Sequence, residues 1–107
     1  MSDEERTRTA RDLRSSAVDF ISALRLGEGM NEELSARLAS AIADLGSAWA
    51  ESEVLPKGVV NDLVGLFSWI DSASYLYEGD EAARIKRAAM EIETLIFRHV
   101  VPASPES

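Results

Sequence analysis

Apolar residues return along this chain at intervals of three and four, and no stretch alternates apolar with polar long enough for a strand. That period is the signature of helices with one buried face. Leu13, Ala17, Phe20, Ile21 and Leu24 form a first stripe and predict a helix over residues 4–26. Gly27-Glu28-Gly29 closes it, because a glycine just beyond the last turn adopts the left-handed conformation that ends a helix. A second helix starts at Asn31 as N-cap, with Glu32 and Glu33 in the first turn, where the helix dipole favours acids. Its stripe is Leu34, Leu38, Ala41, Ile42, Leu45 and Trp49, Glu33 and Arg37 stand four apart as an ion pair, and the helix runs out near Ser52, ahead of Pro56.

A third helix is predicted from Pro56 or Val59 to Tyr77, with Gly79 stopping it. The fourth takes Asp80 as N-cap, buries Ile85, Ala88, Ala89, Ile92, Leu95, Ile96 and Val100, pairs Arg87 with Glu91, and ends at Pro102. The connections are short, so sequential helices should lie antiparallel. The fold class expected is all-α: an antiparallel up-down-up-down four-helix bundle, as a monomer or a dimer. A single domain is expected over residues 1–102, and the polar segment 103–107 is expected to be a disordered tail.

The third helix differs from the others. From Leu63 to Tyr77 its only charge is Asp71. One face carries Val59, Leu63, Phe67, Ile70 and Tyr77 and should point into the bundle. The flank beside it carries Leu66, Trp69, Ala73 and Leu76, and a bundle helix needs only one apolar stripe. Either the N-terminal part of the first helix covers this flank or another molecule does. The sharper expectation is a partner-binding or homodimer surface centred on Trp69, with Leu66, Ala73 and Leu76 around it and Asp71 at the rim. Aromatic residues are enriched at interface hot spots, and charges are depleted from interface centres. Opposite lie Gly58, Gly65 and Ser72, seven apart. Because Gly costs up to ~1 kcal/mol in a helix interior, Gly65 calls for a packing reason.

Length and composition narrow the rest. With 107 residues and 46% hydrophobic content the chain can bury a core without metal or crosslinks, and it has no cysteine, which removes disulfides and thiolate chemistry. The charged N-terminus Met1-Ser2-Asp3-Glu4-Glu5-Arg6 is unlike a secretory signal, and the 63–77 run is too short to span a bilayer, so a cytoplasmic location is expected. A net charge of −8 argues against nucleic acid and against anionic membranes, and steers a basic protein partner inward. Arg outnumbers Lys nine to two and Ala is frequent, as in bacterial proteins encoded by GC-rich genomes.

No chemistry-bearing constellation emerges, and neither a cofactor nor a metal is expected. The lone His99 falls in the last turn of the fourth helix without the Glu-x-x-His spacing of helical di-metal sites. Glu91 and Glu93 stand about 200° apart around their helix and cannot act as paired carboxylates. Ile70-Asp71-Ser72-Ala73 is similar to the Asp-Ser-Leu of acyl carrier proteins, whose serine starts a helix and carries a phosphopantetheine arm; here Ser72 lies mid-helix. Trp49-Ala50-Glu51 and the Tyr77/Glu81 spacing are similar to features of the Trp-x-Gly hairpin proteins of type VII secretion, but Glu51 stands where that family has glycine. Arg8, Arg11 and Arg14 are spaced as a nucleic-acid stripe, but Asp3, Glu4, Glu5 and Asp12 surround them, as on a solvated amphipathic face. The function expected is a non-enzymatic, acidic protein-interaction module such as an immunity, antitoxin or inhibitor protein. A homodimeric structural module is one alternative, and a small-molecule-binding bundle using Trp49, Tyr75 or Tyr77 is another.

Overall fold

A computed structural model describes residues 3–52 and 54–100. Among these are four α-helices and no strand: α1 (Asp3–Arg25), α2 (Glu32–Ala48), α3 (Lys57–Ala73) and α4 (Gly79–His99), with one 3₁₀ turn at Ser74–Leu76 between α3 and α4. The segment ending at Pro102 and the tail 103–107 lie outside the described residues.

The local signals set the end of α1 and the start of α2. At the C-terminus of α1 the amide of Glu28 reaches the carbonyl of Ala23 and that of Gly27 reaches Leu24, with Gly27 at φ +82. These two bonds form a Schellman cap, and they occupy carbonyls that α1 would otherwise leave open. Asn31 caps α2 as expected: its side chain accepts from the amide of Leu34 at 2.9 Å. Other ends depart from expectation. The α2 helix stops at Ala48 instead of near Ser52. The α3 helix tightens into the 3₁₀ turn after Ala73, where the fully buried Ser74 donates its hydroxyl to the carbonyl of Asp71 at 2.6 Å. Asp80 is not the cap of α4: Glu78 holds that place and makes no side-chain cap bond, and Gly79 begins the helix at φ +60. Arg37 pairs with Asp19 of α1 at 3.4 Å and not with Glu33 along its own helix.

Tertiary packing departs from the order of the sequence. The principal packings are α1 on α2, α3 on α4, α2 on α4 and α1 on α3. The consecutive helices α2 and α3 are therefore not main neighbours, and the connection after Trp49 carries the chain across to lie beside α1. Leu13, Phe20, Leu24, Leu38, Ile42, Leu45, Leu66, Ile70, Ile85 and Ile92 are almost fully buried, so all four stripes meet in one core. The radius of gyration of 14.1 Å is near the ~13 Å of a compact domain of this length.

Side chains lock both ends. At one, the Tyr77 hydroxyl donates to the carbonyl of Leu24 at 2.6 Å and accepts from the amide of Gly29 at 2.9 Å. Beside it Glu81 accepts from the amide of Met30, and Arg84 bridges Glu81 and Glu32. This end thus gathers the C-terminus of α1, the start of α2, the turn after α3 and the start of α4. At the other end Arg6 of α1 donates to the carbonyl of Ala48 at 3.2 Å and stands 4.8 Å from the centre of the Trp49 ring.

Candidate functional site: the apolar groove between α3 and α4

On α3, Val60, Val64 and Phe67 follow one another at spacings of four and three, just outside the core line of Val59, Leu63 and Ile70. On α4, Met90 and Phe97 stand seven apart with Glu93 between them, again beside the core line. Where the two helices pack lies a groove of about 310 Å³, lined among the described residues by Leu55, Val60, Leu63, Val64, Phe67, Ile96 and Phe97, with Glu93 as the charged wall residue. Val64 is 74% exposed, Met90 63% and Phe97 59%. Fully burying one such side chain from full exposure is worth roughly 1.5–3 kcal/mol, and each of these has more than half of that area left to cover.

At the far end of α3, Asp71 stands 3.6 Å from the Lys86 ammonium, which also lies 4.2 Å from the centre of the Tyr75 ring. The Tyr75 hydroxyl pushes the Lys86 pKa up from its ordinary value, partial desolvation opposes it, and the charge of Asp71 adds to the rise.

The sequence-derived surface around Trp69 is divided by the structure. Leu66 and Ala73 are core residues, 0% and 4% exposed, because α1 packs along that flank of α3. Trp69 remains 37% exposed and faces α1, beside Val18, Ile21 and Ser22. Asp71 turns instead toward α4 and Lys86, while Leu76 is 61% exposed in the 3₁₀ turn. The five residues therefore form no single patch. Val60, Val64, Met90 and Phe97 are exposed outside that surface, and the seven-residue spacing of Met90 and Phe97 beside the core stripe of α4 is their mark in the sequence.

No family model, curated protein or solved structure matches this chain.

The residues considered for chemistry stay apart. His99 is exposed, and Glu91 and Glu93 both face solvent. Among the described residues no group of three or more His, Asp or Glu side chains is placed to hold a metal ion. Tyr77 spends its hydroxyl on the backbone of Leu24 and Gly29, so it is committed to structure. Trp49 has a buried indole N–H without an acceptor among the described residues. No helix among the described residues is long and apolar enough to cross a membrane.

Proposed function

We propose that this chain is a non-enzymatic protein-interaction module that docks a partner protein along the α3/α4 groove. The observation that carries the reading is the groove itself: among the described residues its walls are seven apolar side chains and one carboxylate, on a face that the chain's own helices leave open. The matching ligand is an amphipathic segment with apolar anchors for Val60, Val64 and Phe97 and one lysine or arginine for Glu93. Helix-in-groove recognition has this form. A net charge of −8 speeds encounter with a basic partner. An immunity protein, antitoxin or inhibitor acting in the cytoplasm fits these demands. The contacts at the two ends support chain directions that alternate as in an up-down-up-down bundle, with α3 placed beside α1.

A second reading, a homodimer through the same face, is favoured by one observation. Lys86 and Glu93 stand seven apart on α4. In an antiparallel pair of α4 helices centred near Met90, each lysine would face the other copy's glutamate, as an isologous contact requires.

The test replaces Val64 and Phe97, both exposed, by aspartate in one variant. Helical content should be unchanged. Light scattering after size exclusion, at low and high salt, fixes the mass of each form; a native protein that the wild type holds should be lost by the variant. A dimer that the variant dissociates selects the second reading. If the variant changes neither the mass nor what is retained, the groove is not the docking surface.

A further inference from the structure

We infer that the groove between α1 and α3 is a second docking surface, and that its occupant is an acidic helical segment of another protein. This inference is independent of the reading of the α3/α4 groove. Two cavities, of about 440 and 290 Å³, lie end to end along α1 and meet at Arg14 and Asp62, which border both; together they form the trough. The trough reaches from Asp3 to Arg25, about 33 Å at the ~1.5 Å rise of a helix. An open trough of that length between two helices is the shape that accepts a third.

Its charge is opposite to that of the protein. Among the described residues, Arg6, Arg11, Arg14 and Arg25 line it against Asp3 and Asp62. The α1 helix contains five arginines and five acidic residues, so the whole net charge of −8 is carried by the rest of the chain. Arg6 is occupied by Ala48 and Trp49. Arg11, Arg14 and Arg25 are exposed, and among the described residues their side chains have neither an ion pair nor a hydrogen bond. Even Asp62, which borders the same cavities as Arg14, forms no bridge with it. Spacings of three and eleven keep these arginines on one side of α1, so carboxylates on one face of a docked helix reach them in register.

The trough also provides apolar anchorage. Trp49 borders one end and Trp69 the other, with Val18, 54% exposed, close to Trp69. On the α3 side the wall is low: Gly58 has open space where a Cβ would stand, and the Trp69 ring rests on Gly65. A polyphosphate backbone fits poorly, because Asp3 and Asp62 lie within the trough and Asp12 and Asp19 lie on the same helix.

Both tryptophans of the chain line this trough, so intrinsic fluorescence reports on it directly. The probe is a synthetic amphipathic helix of Leu, Ala and Glu, compared with the same peptide carrying Gln for Glu and with a short DNA duplex. The Glu peptide should shift tryptophan emission, bind at least ~10-fold more tightly than the Gln peptide and weaken with added salt, as exposed charge pairs do. Arg11→Glu with Arg14→Glu should abolish binding at unchanged helical content, whereas Arg98→Glu, and Val64→Asp with Phe97→Asp, should leave it intact. Equal affinity for the Glu and Gln peptides, or binding that survives reversal of Arg11 and Arg14, overturns the inference. Tighter binding of DNA than of peptide overturns the choice of occupant. Loss on changing Val64 and Phe97 would move the peptide to the other groove.

Discussion

Gly46 of α2 lies against the backbone carbonyl of His99, the last residue of α4, with no room between them for a Cβ. This contact is what lets α2 and α4, distant in sequence, close on each other at that end of the bundle. Replacing a helical glycine by alanine normally adds up to ~1 kcal/mol of helix propensity. At position 46 the obstacle is backbone and cannot rotate away, so α4 must shift. Overpacking of this kind costs roughly 1–3 kcal/mol, which outweighs the propensity gain. Gly46→Ala should therefore lower the midpoint of urea unfolding; a raised midpoint would show that the end of α4 gives way freely.

Gly65 offers the opposite case. A Cβ there would meet the six-membered part of the Trp69 ring, which is a side chain with solvent beside it. The ring can swing aside, so the propensity gain is retained. Gly65→Ala should leave stability within about 1 kcal/mol of the wild type, while the emission of Trp69 moves toward that of a water-exposed indole. Unchanged emission would mean that the ring does not rest on Gly65.

Tyr77→Phe should cost about 1–3 kcal/mol, because the amide of Gly29 and the carbonyl of Leu24 lose a partner in a part-buried setting. The loss should appear in chemical denaturation and in faster hydrogen exchange at Gly29. A variant as stable as the wild type would mean that water takes over both bonds.

At the opposite end, Trp49 supplies a ring for Arg6 and a buried N–H that no described residue accepts. Trp49→Phe keeps an aromatic face and removes the unpaired donor, so it should be neutral or stabilising within about 1 kcal/mol, since a buried unsatisfied donor carries a penalty of ~1–3 kcal/mol. Trp49→Ala loses the ring as well and should destabilise by roughly 3 kcal/mol or more. A large loss in the Phe variant would show that the indole nitrogen has a partner in solution.

Helix identity was legible in the chain because it rests on local physics. The stripes of Leu13, Phe20 and Leu24 and of Ile85, Ile92 and Ile96 are buried as their spacing requires, and the Gly27 and Asn31 caps act through bonds to residues three to five positions away. The boundaries set by competition between neighbouring turns were less legible, as at Ala73 and Glu78, where the 3₁₀ turn replaces the last turn expected of α3.

The candidate sites depended on something that periodicity does not contain. Spacing shows that Leu66, Trp69 and Ala73 share one flank of α3 and that Val60, Val64 and Phe67 share another, but a one-dimensional pattern does not say which flank another helix will cover. Placing α3 beside α1 and α4 buried Leu66 and Ala73, left Val64 and Phe97 open, and set Arg11, Arg14 and Arg25 along a groove. The residues determined the helices and their faces; which faces meet was decided by how four helices share one core, a choice made by contacts between residues far apart in the chain.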